Sequence, residues 1–416
     1  MTCPYALYGN ACRGRRQTSG KFAKCGDKVF KDGSQGLSRR EVAMGEKKNA
    51  LFTTAVVAAI ILIFTVADFF RGDRLYSETE NRLLAVRPVA SRESIFSGEF
   101  AKDYETYVTD QFVGRDKWIG IKTRMDILLQ KKEINGVYLG SDGYLIEQHL
   151  PEDYSELLVA KRTALLQKLV EQWDATVMLV PTADNILTDK MPANAPYYDQ
   201  AELLEMIAEQ VGDSHYVDVY GSLRAHAEEE IYYRTDHHWT SLGAYYGYLA
   251  WAENRGEDPF AYRLNAMAVA SEDFLGTLHS KTNLDRKGDT IRYFASTEKR
   301  PITVTYDFQR ETDTFYEESY LETKNQYGFF LDDNHAFIQI DTSYRNGKTL
   351  FVIKDSYANS MIPLLTPHYQ RIYVVDLRYY NGRLSALMKQ MEPEEGMDVL
   401  VLYNCIHFLE EFSYTE

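Results

Sequence analysis

Cysteine is scarce in this chain and badly placed for cross-linking. Of 4 cysteines, Cys3, Cys12 and Cys25 fall within the first 48 residues, and Cys405 stands alone in the rest. The main body therefore has no internal disulfide. The N-terminal cysteines show no zinc-ligand spacing, no second histidine pair sits at ligand spacing, and there is no internal repeat. Basic residues are also short, and the net charge of −15 is unevenly spread. Residues 1–48 hold 11 Lys/Arg against 4 Asp/Glu, whereas from Gly72 onward 34 basic residues face 56 acidic ones. An acidic body argues against nucleic acid as a partner.

What is present is an ordinary globular composition with one long apolar run. Over 416 residues, 45% are apolar and 26% charged, enough for a sizeable core and about two folded units. The 31 tyrosines suit strands, or a surface that contacts polar ligands such as glycans. Residues 50–70 are apolar or Thr almost throughout, the length a membrane-spanning helix needs, with Asp68 near its outer end and Lys47 and Lys48 just before it. That charge order keeps the N-terminus in the cytoplasm and the body outside it. A cleaved signal peptide is the alternative, but the run exceeds a typical signal core and no small-residue cleavage site follows. The chain thus divides into a disordered basic cytoplasmic segment (1–48), a transmembrane anchor (49–71), a juxtamembrane helical region (72–134) and an extracytoplasmic domain (135–416) with a β-rich insertion at about 258–345. Met44-Gly45-Glu46-Lys47-Lys48 also reads as a complete N-terminus, which would make residues 1–43 a misassigned leader.

Apolar spacing predicts one or two amphipathic helices over 100–130, broken at Gly114, and a hairpin joins 137–140 to 143–146 through Ser141-Asp142. Helices follow at 152–173, 202–211, 223–231 and 242–251. Strands are expected at 176–180, 216–219, 349–353, 371–376 and 399–403, and β-prone sequence at 302–306 and 329–337. A further helix is expected at 358–365. Alternating strands and helices signal a layered α/β fold.

The densest chemistry lies in Arg234-Thr235-Asp236-His237-His238-Trp239-Thr240. A carboxylate two residues before a histidine can orient the imidazole and stabilise its cation. The proton it would take belongs to Ser356, in Asp355-Ser356-Tyr357, straight after a buried strand and before a helix. Strand ends of that kind present ligands in α/β sheets, and a helix N-terminus stabilises an oxyanion. Ser356 and Asp355 could instead cap the helix. His237 could bind substrate or merely pack, Trp239 could stack on a sugar ring or act as a wedge, and Arg234 could attract an acidic glycan or pair with a carboxylate. Asp236, His237 and His238 could also hold a divalent metal, although consecutive ligands rarely converge.

These residues resemble a known family. Thr235 to Thr240 looks like the signature of the bacterial DHHW proteins, which are similar to the SGNH-hydrolase-like domains of alginate O-acetyltransferase accessory proteins. SETENRLL at 77–84, DQFVGR at 110–115, NGVYLG at 135–140 and KDSY at 354–357 also fit, and the resemblance covers about residues 75–408. It implies an SGNH-hydrolase-like layered α/β/α domain with a parallel sheet, and a triad of Asp236, His238 and Ser356 with no metal or cofactor. The triad order, D-x-H before Ser, agrees with the acetyltransferase relatives. Lys354 stands where ordinary GDS esterases have Gly, and Asn185 is the candidate oxyanion donor. The implied function is an anchored O-acyltransferase acting on a cell-surface polysaccharide, with a membrane-bound O-acyltransferase supplying the acyl group. An esterase and a non-catalytic glycan-binding or assembly protein of the envelope are the alternatives.

Overall fold

The computed structural model describes residues 39–70, 72–77, 82–394 and 396–415. Residues 1–38, with most of the expected disordered segment, lie outside the described residues, as do 78–81 of the SETENRLL string. The chain forms two units, residues 1–67 and 68–416. In the first, helix α1 (Arg39–Phe70) contains a stretch, Lys47–Ala67, long and apolar enough to cross a membrane. Its polar side chains are satisfied internally: the hydroxyls of Thr53, Thr54 and Thr65 each donate to the carbonyl four residues earlier at 2.9 Å. Such bonds remove the cost of a bare hydroxyl in hydrocarbon.

The second unit opens on helices α2 (Glu99–Gln111) and α3 (Arg115–Leu128), divided at Gly114 with φ 69°. The DQFVGR string acts here as a structural staple. Buried Asp110 accepts from Arg82 Nη1 and from the Ala85 amide, both at 2.9 Å, and Gln111 donates to the Arg74 carbonyl at 2.8 Å. In NGVYLG, Asn135 (φ 51°) and Gly136 (φ 75°) make the two-residue turn that pairs Ile134 with Val137. The expected hairpin follows, with Leu139 opposite Leu145.

Helices α4 (Glu156–Trp173), α5 (Gln200–Val211), α6 (Ser241–Arg255), α7 (Leu384–Met391) and α8 (Cys405–Glu411) surround one sheet. Its strands are β1 (Thr176–Val180), β2 (Ile302–Tyr306), β3 (Arg310–Thr312), β4 (Phe337–Thr342), β5 (Thr349–Lys354), β6 (Arg371–Asp376) and β7 (Asp398–Asn404), in the order β3-β2-β4-β6-β5-β7-β1. β6, β5, β7 and β1 are parallel, and β4, β2 and β3 add antiparallel strands at one edge. Of the stretch read as an insertion, β2, β3 and β4 extend the main sheet, while Ala268–Phe274 and Asp289–Tyr293 pair in a separate two-stranded sheet.

Near-continuous apolar strands mean that both sheet faces are covered. Val352, Val374, Leu400 and Met178 point to one side, where Tyr248 and Trp251 of α6 pack. Phe351, Val375, Val401 and Val177 point to the other, against Leu166, Leu203, Met388 and Phe408 of α4, α5, α7 and α8. The result is three layers. Three local expectations shift. Residues 216–219 contribute a single bridge, Val177 to Tyr216, because the chain turns into a helix at Tyr220–Ala225. That helix stops well short of residue 231. Beyond β5, a 3₁₀ turn (Ser356–Ser360) and a single helical turn (Ile362–Leu365) replace the expected helix.

Candidate active site

β5 is buried along all six residues and delivers Asp355 and Ser356 to the C-terminal edge of the parallel strands. Its neighbours β6 and β7 follow it in sequence but lie on opposite sides of it, the arrangement that opens a crevice in α/β sheets. Asp355 fixes the strand end. One carboxylate oxygen accepts from the Tyr357 amide at 2.9 Å, and the other from the Asn404 amide at 3.0 Å, Asn404 Nδ2 at 2.9 Å and His407 Nδ1 at 2.9 Å. Ser356 is thereby held at the start of a five-residue 3₁₀ turn rather than a long helix. What it offers an anion is an amide donor and not a macrodipole.

The histidine arrives from a tight loop clamped at its base. Tyr232 bridges to Trp239, and the Thr240 amide donates to the Ile231 carbonyl at 2.9 Å. Trp239 is wholly buried, and its indole N–H donates to the Tyr357 carbonyl at 2.8 Å, tying the histidine loop to the serine turn. Between these clamps, His238 Nδ1 meets Asp236 Oδ1 at 2.6 Å and its Nε2 lies 2.8 Å from Ser356 Oγ. The carboxylate fixes the tautomer: Nδ1–H donates to Asp236, so Nε2 is free to accept the serine proton. The outer oxygen of Asp236 accepts from the Thr277 amide at 2.8 Å and the Thr277 hydroxyl at 3.1 Å. Burial alone would raise the Asp236 pKa, but the two imidazoles and these hydrogen bonds hold it well below the usual carboxylate range. Tyr327 stacks on the His238 ring with centroids 3.8 Å apart, and its hydroxyl donates to the Ser356 carbonyl at 3.2 Å.

The cavity in front of Ser356 has a volume of about 300 Å³ and is also lined by Lys324, Asn334, Arg378 and His407. Asn334 has a defined orientation: its Oδ1 accepts from the Lys354 ammonium at 2.7 Å and from Arg378 at 3.3 Å, and its Nδ2 donates one N–H to Asp333 Oδ1 at 2.8 Å, which leaves a second N–H. Lys354 is fully buried, 3.2 Å from Asp376, and supports this wall from behind.

Asp236, His238 and Ser356 therefore come together, and the remaining candidates separate. His237 lines the same cavity, with Nδ1 2.7 Å from the Thr277 hydroxyl. Burial and the neighbouring His238 lower its pKa to about 3, so it is neutral at ordinary pH. Trp239 cannot stack on a sugar, because no part of it is exposed; it is a wedge, closed over by Gly247. Asn185 cannot serve as an oxyanion donor: its Nδ2 bonds Asp184 and the Tyr198 carbonyl, and its Oδ1 accepts from the Gln200 amide. Arg234 pairs with Glu230 at 2.8 Å and lines a different cavity. The possible metal ligands of Asp236, His237 and His238 lie within 4.8 Å of one another. However, Asp236 Oδ1 and both nitrogens of His238 are already committed to hydrogen bonds, which leaves no convergent set of free donors. Thr277, Tyr327 and Asn334 escaped the sequence reading; none sits in a patterned motif.

The profile of the DHHW protein family matches residues 132–375. The chain belongs to the DHHW family. A crystal structure of a DHHW protein from Eubacterium siraeum is 26% identical, with a TM-score of 0.55 over 67% of this chain and 93% of that one. PatB1 of Bacillus cereus, solved with a sulfonyl adduct, is 19% identical and aligns with a TM-score of 0.53 over 68% of this chain and all of its own, 100%. A second PatB1 structure gives 20% and 0.51, over 65% and 98%. These likenesses establish the fold. No curated protein matches. The four DHHW letters have distinct places here: Asp236 orients, His237 lines the cavity, His238 faces the serine, and Trp239 wedges the loop.

Proposed function

We propose that this DHHW protein is a membrane-anchored O-acyltransferase, acetyl transfer being the expected case, that acts outside the cytoplasm on a cell-surface polysaccharide. One observation carries the reading: the continuous line from Asp236 Oδ1 through His238 to Ser356 Oγ, at 2.6 and 2.8 Å, opening on a cavity. His238 Nε2 takes the Ser356 proton as Oγ attacks the carbonyl of an acyl ester. The tetrahedral oxyanion would be met by the Ser356 amide and by the second N–H of Asn334, the first being spent on Asp333. Its collapse breaks the bond to the leaving alcohol, which takes the proton from His238, and leaves the acyl group as an ester on Ser356. A sugar hydroxyl then attacks, giving its proton to His238, which returns it to Ser356 Oγ. The apolar helix at Lys47–Ala67 supports anchoring, with the N-terminus on the cytoplasmic side. A membrane-bound O-acyltransferase partner would then supply the acyl group across the bilayer. Water in place of sugar gives an esterase by the same first half.

Sulfonyl fluorides and p-nitrophenyl acetate test this directly. Mass spectrometry should place one adduct on the peptide holding Ser356, and the adduct should vanish in Ser356→Ala. Labelling that ignores the serine would defeat the reading. An acyl-enzyme that reacts with water and with no sugar would make it an esterase.

A further inference from the structure

A second buried carboxylate–imidazole pair lies beside the triad. His149 Nδ1 donates to Asp184 Oδ2 at 2.9 Å, and Asp184 is itself locked by the Thr182 hydroxyl on its other oxygen at 2.6 Å. The pair sits just past the end of β1, as the Ser356 group sits just past β5. His149 is only 6% exposed, yet its Nε2 has no hydrogen-bond partner among the described residues and lies 4.0 Å from Glu147. Burial alone would lower the His149 pKa, but Asp184 outweighs it and raises the value. This atom borders a cavity of about 370 Å³, within the roughly 300–1,000 Å³ usual for small-ligand sites. His237 and His407 line both this cavity and the one in front of Ser356.

From this geometry we infer that the His149 cavity is the acceptor subsite of the proposed transferase, and that it takes a hydroxyl-rich sugar unit carrying neither carboxylate nor phosphate. A buried imidazole that borders a cavity with one nitrogen unspent is a hydrogen-bonding group in search of a partner. Sugar hydroxyls both accept and donate, so one ring can engage His149 together with Glu147. The charge around the site selects against anions. Glu147, Asp153, Asp184 and Glu410 border it, against His149 and His407. Glu147 is held ionised: burial would raise its pKa, but His237, Lys281 and His149 bring it to about 2. A uronate or phosphorylated unit would meet more negative charge than positive. A neutral or amino sugar would not. With one unit seated there, the next unit along the chain passes His237 and His407 and presents its hydroxyl to the acyl group on Ser356.

The inference rests on the acyltransferase reading, and the test separates the two. Full-length protein is acylated with p-nitrophenyl acetate and offered tetrasaccharides of N-acetylglucosamine, glucosamine, glucose or mannuronate. Transfer is followed by mass spectrometry and scaled to the acyl-enzyme each variant forms. At least one carboxylate-free acceptor should be acylated in preference to the uronate, and His149→Gln should raise its KM about tenfold, the scale of one lost hydrogen bond. Glu410→Lys, a change at an exposed rim position, should improve mannuronate severalfold. Preference for the uronate, no transfer to any carboxylate-free sugar from a formed acyl-enzyme, or a KM that ignores both substitutions would overturn the inference. No acyl-enzyme at all would instead defeat the transferase reading.

Discussion

At the scale of single residues, the reactive geometry depends on contacts that leave no room. A Cβ on Gly276 would overlap the Asp236 side chain. Gly276→Ala must therefore push Asp236 away from His238, and misplacements of about 1 Å cost on the order of 100-fold in rate. The expected result is a variant with a wild-type circular dichroism spectrum and an acylation rate down about 100-fold. Asn334 makes a complementary case. As a side-chain donor to the oxyanion, its replacement by Ala should slow acyl-enzyme formation by about 100- to 1,000-fold with little change in ester KM. An unchanged rate constant would assign the donor role elsewhere. Of these residues only Asp236, His238 and Ser356 were singled out in sequence, because each sits in a short string whose spacing has chemical meaning. Asn334 lies among Asp and His residues with no pattern, and its amide acquires a direction from Lys354, Arg378 and Asp333.

At the scale of elements, the histidine loop is held by α6 and the serine turn together. Trp239 fills the gap between them, approaching the Gly247 position so closely that an added Cβ would stand 2.9 Å from its ring. Trp239→Ala should destabilise the domain by about 3–5 kcal/mol, read as a shift in urea midpoint at unchanged slope. Lys354 anchors the end of β5 in a similar way. Removing one partner of a buried ion pair costs about 3–5 kcal/mol. Because Arg378 also pairs with Asp376 at 2.6 Å, Lys354→Met should fall at the low end of that range in the same titration. The four parallel strands and helices α2 to α6 were readable from apolar periodicity, which is a local property, whereas β3, β4, α7 and α8 were not. The helix expected after Ser356 was not correct, because Pro363 and Pro367 and the burial of every residue from Ser356 to Leu365 favour short turns fitted to their neighbours. Trp239 showed the limit of composition: an indole beside two imidazoles suggests ligand stacking, and only its burial reveals a wedge.

At the scale of the whole molecule, charge sets the behaviour with pH, and the apolar helix at Lys47–Ala67 sets the expectation for membranes. Glu147 has a folded pKa of about 2 against 4.5 when unperturbed. A lowered folded pKa means that the unfolded chain binds more protons between these values. The contribution is thus complete above about pH 4.5 and disappears as pH falls toward 2. Partial exposure of the carboxylate screens it, so about 3 kcal/mol is an upper limit. Glu147→Gln should be less stable than wild type at pH 7, and the gap in melting temperature should close on acidification. The anchor gives an equally direct expectation. A chain starting at residue 72 should be soluble and melt like the full-length domain, whereas the full chain should sediment with membranes and expose its C-terminal domain to external protease.

The sequence by itself determined the apolar helix, the four parallel strands, the acidic body and the short strings that hold Asp236, His238 and Ser356, since each follows from local spacing or composition. Tertiary structure decided what those residues face. It turned residues 302–342 into the edge of the main sheet and removed Trp239, Asn185 and Arg234 from the cleft. It brought Thr277, Tyr327 and Asn334 to the triad and set His149 beside it. The reason is physical: hydrogen bonds and stacking act over a few ångströms, and segments up to about 200 residues apart reach that distance only once the sheet has been assembled.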